Sequence, residues 1–509
     1  MSAIQAQGKP ASHDEKVNTN DESSIENVDQ PQEAFTYTEK EERQLVRKID
    51  FLVVPILTLL YLLSFLDRSN IGNAKIDGLV TDLKIRDYSS VVMIYFVGYV
   101  IAEIPANLML KVTNPPLWLP TLTLVWGIVS VCMGLVHNEQ GLYAARFFLG
   151  IAEAGLFPGT VFVFSRFYKR SERTARVAFF FGGAAASGAF GGVLAYGITK
   201  MKGIGGKEGW AWLFILEGLL TIVVSIPAYF LVPNYPNISK KFSAREKQII
   251  EARLRTDSDA LDEEKFQWSE VWRAVTTLQV YGYCFLFHGF SFGLYTLSNF
   301  LPSIIQGLGY KSWQAQLLTV PPYFFAFFTT MAAAIATQKT GKRAIFIITS
   351  AGIAIVGYIV LLTSPTIGGK YAAVFLCAGG IYSGNAILLA WPSENLMGQT
   401  FRATALAMVI SIGNLGAIIG TQLYRIPLGH NPNKNYHASI GITIAWMFIG
   451  ISSASALWYG LNKANKRLIA EYKERDQRST KEDGVNSATS SQIALNSNGQ
   501  WKKNFLNQT

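Results

Sequence analysis

Apolar residues along this chain gather into runs of about 20, the length of a helix that crosses a bilayer, and short polar turns separate the runs. Twelve runs are present. Six lie at roughly 48–70, 88–110, 117–136, 141–164, 175–199 and 211–233, and six more at 278–306, 313–337, 343–363, 371–392, 402–424 and 438–461. One long polar interruption, 234–277, divides them six and six. Within it "KKFSAREKQIIEARLRTD" has the mixed charge of a short amphipathic or solvated helix. The pattern predicts a polar N-terminal tail (1–45), a six-helix half (46–233), a linker (234–277), a second six-helix half (278–462) and a polar C-terminal tail (463–509). Both tails read as disordered, the second from about residue 467, and the first has no apolar core that would serve as a cleavable signal.

The two halves carry a weak internal repeat. Phe51 and Leu278, Lys111 and Lys339, and Arg176 and Arg402 are separated by 227, 228 and 226 positions. A parallel repeat of this kind puts the substrate site near the midplane, between the halves. Gly182, Gly183, Gly188, Gly191 and Gly192 in the fifth run are answered by Gly413, Gly416 and Gly420 in the eleventh, and small residues let helices pack closely. The expected fold class is therefore an all-α membrane protein with twelve transmembrane helices in two six-helix, pseudo-repeated halves.

Composition agrees. The chain is 50% hydrophobic and 16% charged, with mean hydropathy +0.23, too apolar for an ordinary soluble protein. The formal charge of +10 does not point to nucleic acid, because the basic residues sit in short turns between apolar runs. With the N-terminus cytosolic, eighteen Lys and Arg fall in the inner loops and ten in the outer ones, so both termini are expected in the cytosol. Cys132, Cys284 and Cys377 lie inside apolar runs and imply no disulfide framework. No phosphate-binding lysine motif, zinc-ligand spacing or nucleophile–base pair is present, so neither enzyme chemistry nor a cofactor is expected.

Charges inside the apolar runs are the exceptions, since each costs at least a few kcal/mol at the bilayer centre. "ARFFLGIAEAGLFPG" holds Arg146 and Glu153, seven residues apart, about two turns and about 10.5 Å along one helix face. Asp67 and Arg68 end the first run. Arginine offers a fixed charge and a forked donor set suited to a carboxylate, and a buried carboxyl can take up a proton on the acidic side of a membrane. Glu103 and Glu217 are further intramembrane acids, read as partners for inner-loop arginines or backbone. His288, within "YCFLFHGFSFGLY", reads as a packed polar group.

"SFLDRSNIGNAKIDGL", "GYVIAEIPANLML", "ARFFLGIAEAGLFPG", "YKRSERTARVAFFFGGAAASGAFGGVLAYGI" and "GWAWLFILEGLLT" together resemble the anion:cation symporter branch of the major facilitator superfamily, and more narrowly its fungal allantoate permease group. The likeness spans about residues 45–465. It implies a secondary active transporter, with proton-coupled uptake of a small organic anion such as nicotinate, allantoate or pantothenate by alternating access. On the same ground Asp67 and Glu153 match the proton-binding acids, and Arg68 and Arg146 the cationic positions. Arg146 is then expected to touch substrate and Arg68 to hold the acids charged. Tyr295, Asn299, Tyr382, Asn385 and Trp391 fall on helices that the family uses as cavity walls, and the first four are taken as substrate contacts. In the second half the chain departs from the group's pattern at "WPSENLMGQTFRATALAM", with Glu394 before Asn395 and Phe401 before Arg402.

The expected partners are a small organic anion, a co-transported proton and the lipid bilayer. A plasma-membrane monomer is expected, with an internal membrane as the alternative location. A proton-antiport exporter and a nutrient sensor on the same scaffold are the competing functions.

Overall fold

The computed structural model describes residues 37–255, 267–396, 398–423 and 437–482. It opens with a reciprocal cap: the Glu41 N–H donates to the Thr38 hydroxyl, and the Thr38 N–H donates back to the Glu41 carboxylate at 2.9 Å. From there α1 (Glu39–Ala74) runs through a π-helical stretch (Lys75–Leu79) to the short α2 (Val80–Asp82). Then come α3 (Tyr88–Val112), α4 (Pro115–Met133), α5 (Glu139–Glu153), α6 (Leu156–Phe167), α7 (Arg170–Ile198) and α8 (Gly209–Leu231), which complete the first half. The linker holds α9 (Ala244–Arg255) and α10 (Trp268–Thr276). The second half is α11 (Leu278–Gln306), α12 (Ser312–Leu318), α13 (Val320–Thr340), α14 (Arg343–Thr363), α15 (Ile367–Asn395), α16 (Gln399–Leu423) and α17 (His437–Glu482). No strand occurs among the described residues.

Prolines break two of the expected spans. The fourth run divides into α5 and α6 because Pro158 has no N–H to give the Ala154 carbonyl, so a helix boundary falls at Glu153. Pro321 and Pro322 do the same between α12 and α13. Eleven spans among the described residues are long and apolar enough to cross a membrane. The seventh expected run, now α11, is missing from that set although it has 29 residues. Its Tyr, Gly, Ser, His and Asn dilute the hydropathy, which a helix packed among its neighbours can accept because little of it meets lipid.

Both expected tail boundaries move. Helix begins at Glu39, ahead of residue 45, and α17 continues to Glu482, past residue 467. The rest of the expected tails (1–36 and 483–509) lies outside the described residues.

The halves meet where α1 packs on α11, α7 on α13 and α15, and α3 on α16. Close approach requires glycine at Gly72, where an added Cβ would stand 2.6 Å from the Asn299 carbonyl oxygen of α11. The glycine-rich faces pack as the sequence suggests, Gly182 and Gly188 against Met331 and Tyr323, and Gly413 and Gly416 against Phe287 and His288. At the end of the bundle where α1 starts, here the linker face, α9 docks through ion pairs. Fully buried Arg253 reaches Glu42 at 2.8 Å and Glu172 at 2.7 Å, while Lys48 holds Glu246 at 2.9 Å. The opposite end is the far face.

Candidate functional site

The midplane contact between the halves is built around Arg68 of α1, 4% exposed. Its Nη2 donates to Glu153 Oε2 at 3.0 Å and its Nη1 to the Tyr295 hydroxyl at 2.9 Å, so one guanidinium joins α5 of the first half to α11 of the second. Aromatic rings enclose it, with Tyr95, Tyr99, Phe65 and Tyr295 centred 5.1, 5.3, 5.6 and 5.6 Å from its carbon. Such faces favour a cation.

Glu153 accepts three hydrogen bonds on Oε2: from Arg68, from Ser64 Oγ at 2.8 Å and from the Tyr95 hydroxyl at 2.9 Å. Its Oε1 has no partner among the described residues. The carboxylate sits where α5 ends and is fully buried. Gly150, one turn earlier, has no room for a Cβ against the Tyr95 carbonyl, and this close approach of α3 to α5 is what brings Tyr95 to Glu153.

Arg146 lies over the same Tyr95 ring, its guanidinium carbon 5.0 Å from the ring centre. It is fully buried, and none of Nε, Nη1 and Nη2 finds an acceptor among the described residues. A guanidinium is always charged at physiological pH, and a buried unpaired charge is strongly unfavourable. Arg68 and Glu153 neutralise each other, so Arg146 leaves the cluster with one uncompensated positive charge and a free fork of donors. That arrangement has the chemistry of an anion site.

Asp67 is elsewhere. Adjacent helix residues point about 100° apart, so while Arg68 faces the midplane, Asp67 turns back into the first half. There it accepts from Ser130 of α4 at 3.1 Å and Thr221 of α8 at 3.4 Å. Glu217 is buried in α8 with neither carboxylate oxygen partnered among the described residues. Glu103 accepts from Ser411 of α16 at 2.9 Å, across the seam between the halves, rather than from an inner-loop arginine. His288 Nδ1 pairs with the Ile412 carbonyl at 3.0 Å.

Of the second-half candidates, Tyr295 joins the cluster directly. Tyr382 reaches it through Phe65, with ring centres 6.3 Å apart. Asn299 and Asn385 donate to carbonyls of their own helices, at Tyr295 and Ile381, and each keeps an unpartnered Oδ1. Trp391 packs edge-on against Tyr283, toward the linker face. Sequence reading missed Ser64, Tyr95 and Tyr99. The signal was present in "YFVGYVIAE", where Tyr95, Tyr99 and Glu103 recur every four residues and share one helix face.

Toward the linker face, Tyr61, Phe157 and Phe180 close under Glu153, with Tyr61 stacked 4.3 Å from Phe180. Beneath them opens a cavity of about 490 Å³ between α6 and α7 on one side and α15 and α16 on the other, lined by Phe157, Val161, Arg166, Arg173, Ser393 and Arg402 among others. Beside it the halves are tied again. Arg343 Nη2 donates to Glu394 at 3.0 Å and to Thr174 of the first half at 3.4 Å, and Thr174 also hydrogen-bonds Glu394.

This geometry can be set beside known proteins. The Major Facilitator Superfamily profile matches residues 57–421. An uncharacterised transporter of Schizosaccharomyces pombe is 36% identical over 425 residues, covering 82% of this chain and 84% of its own. The MFS transporter prlL of a fungal species is 32% identical over 440 residues, covering 84% and 88%. In fold, the chain is similar to a bacterial homologue of the human lysosomal transporter Spinster in an inward-facing, occupied conformation, with TM-score 0.61 at 16% identity, covering 84% of this chain and 99% of that one. Two packed helical halves, charged groups buried at their midplane and these matches lead to one assignment: the chain belongs to the Major Facilitator Superfamily and is a secondary transporter, not an enzyme.

Proposed function

We propose that the protein imports a small organic anion together with a proton, and that Arg146 and Arg68 bind the anion's carboxylate while Glu153 carries the proton. Carboxylated vitamins and nitrogen compounds such as nicotinate, allantoate and pantothenate are the substrate class, with nicotinate first among them. The observation that carries this reading is the buried, unpartnered Arg146 beside an Arg68 already held by Glu153.

The coupling follows from competition for one guanidinium. With Glu153 ionised, Arg68 is occupied and the site offers a single free cation. A proton on Glu153 removes its claim on Arg68, so the site gains a second cation and binds an anion more tightly. By linkage the bound anion raises the affinity of Glu153 for the proton by the same factor. Proton and anion then enter together from the far face, taken as external, and leave through the cavity on the linker face, taken as cytosolic. On this reading the protein works as a monomer in the plasma membrane, with both termini inside and no cofactor beyond the transported proton.

Uptake of a labelled carboxylate panel into cells expressing wild type, Glu153→Gln or Arg146→Ala, at acidic and neutral external pH, tests the proposal. One panel member should accumulate with wild type more at acidic pH. Glu153→Gln should still exchange it but fail to concentrate it, and Arg146→Ala should not bind it. Absence of any uptake with protein present at the surface would overturn the import reading.

A further inference from the structure

A third cation, the second without an acid among the described residues, lies outward of this site. Lys75 sits at the far-face end of α1, at the start of the π-helical stretch that ends at Leu79 and contains Gly78 at φ 105°. π-helical turns are frequent at functional sites. The Lys75 ammonium rests 4.4 Å from the centre of the Tyr88 ring and 5.2 Å from that of Phe300, with the two rings edge-to-face 5.9 Å apart. No carboxylate pairs with it among the described residues. The nearby Asp77 turns away, toward Gly209 of α8. Tyr88 belongs to the first half and Phe300 to the second, so Lys75 closes the far-face seam by lying between aromatic faces from both.

The spacing along the helices gives this position its meaning. Lys75 is seven residues beyond Arg68 on α1, and Tyr88 is seven residues before Tyr95 on the antiparallel α3, so both steps are about 10.5 Å on one helix face. Lys75 over Tyr88 and Arg68 over Tyr95 are therefore the two ends of one ladder. Arg146 lies over Tyr95 as well, and on α5 it precedes Glu153 by seven residues, or about two turns toward the far face. Three cations thus lie over two tyrosine rings along this ladder, and among the described residues only Arg68 has an acid.

We propose that Lys75 is the entry site for the transported anion: it draws the carboxylate to the far-face mouth and passes it to Arg146, and leaving the Tyr88–Phe300 cage to do so loosens the seam between the halves. This rests on the anion-transport reading above. A flexible, strongly hydrated ammonium suits a transient contact, whereas the forked guanidinium below suits the held one.

The test uses a full-length chain with Cys132, Cys284 and Cys377 changed to alanine and a single cysteine placed at Ser303, one turn beyond Phe300. Its modification rates by an anionic sulfonate and a cationic ammonium methanethiosulfonate are compared with Lys75 present and in Lys75→Gln. Both reagents need the same opening, so their rate ratio reads the local charge and cancels any shift in conformation. Loss of one charge from a wet mouth should lower the anionic-to-cationic ratio about fivefold. In uptake assays, Lys75→Gln should raise KM for the transported carboxylate by a similar factor with the maximal rate retained, and Lys75→Arg should restore it. An unchanged reagent ratio in Lys75→Gln would overturn the proposal, as would an unchanged KM. If wild type takes up no panel member, the transport reading fails, and the reagent ratio still decides whether Lys75 governs the charge of the mouth.

Discussion

At the scale of single residues, the site sets two buried arginines in opposite electrostatic situations, and this predicts opposite effects on stability. Arg146 has no hydrogen-bond acceptor among the described residues, so Arg146→Leu removes a desolvated charge and should raise the thermal midpoint of the substrate-free protein while abolishing anion binding. Arg68 is held by Glu153 and Tyr295, so Arg68→Leu strands a buried carboxylate and should lower stability by about 3 kcal/mol at neutral pH. Midpoints measured in detergent check both, and equal falls for the two variants would show that Arg146 has a stabilising partner after all. Tyr295→Phe deletes the Arg68 hydrogen bond that crosses between the halves at 2.9 Å, leaves the ring in place and should weaken anion binding about five- to tenfold. The charged residues were legible in the sequence because an ion in an apolar run is costly enough to need a reason. Which charges meet was not. Asp67 and Arg68 are neighbours in the chain and a quarter-turn apart on the helix, and Tyr95 looks like any aromatic in a membrane run until α5 is packed beside it.

At the scale of elements, apolar periodicity located the membrane helices, but the breaks at Pro158 and Pro321 depend on which carbonyl loses its donor, and hydropathy does not report that. The linker helix α9 was readable from its mixed charges. Its docking was not, because the partners are contributed by α1 and α7. Arg253 is the keystone, with one donor on Glu42 and another on Glu172. Arg253→Ala should release α9 and speed amide exchange across residues 244–255 about tenfold or more, without changing exchange in α4. The second tether has a pH dependence. Burial of Glu246 acts against its charged form, but the Lys48 hydrogen bond and the Ser243 backbone outweigh it, so the carboxyl is held below its usual range. A depressed folded-state value means that the tether contributes fully above the ordinary carboxylate pKa of about 4.3 and is lost as pH falls through the folded value. The protection factor of α9, with the intrinsic pH dependence of exchange divided out, should therefore stay constant across the neutral range and fall only in acid, and Glu246→Gln should reduce that acid dependence to the share carried by Glu42.

At the scale of the whole molecule, the structure is closed more heavily at the far face than at the linker face. Toward the far face, Gly72 meets Asn299, Gly192 meets Gln316 and Thr319, and Lys75 spans Tyr88 and Phe300. Toward the linker face a cavity of about 490 Å³ already separates α6 and α7 from α15 and α16, and beside it Thr174 of α7 meets the Arg343–Glu394 pair. Thr174→Val keeps shape and leaves that ion pair intact while removing the hydroxyl that links it to the first half. Hydrogen bonds to charged groups contribute about 1.5–3 kcal/mol, so the ratio of linker-face-open to closed molecules should rise about tenfold or more. A cysteine at Ser393, buried in the cavity wall, should then react faster with a thiol reagent applied from the linker face by about that factor. Because the two faces open alternately, molecules drawn toward one opening are withdrawn from the other, so the apparent KM for substrate offered at the far face should rise in step. Faster labelling with an unchanged KM would mean that Thr174 governs only a local opening, and unchanged labelling would mean that the Thr174 contact does not restrain the halves.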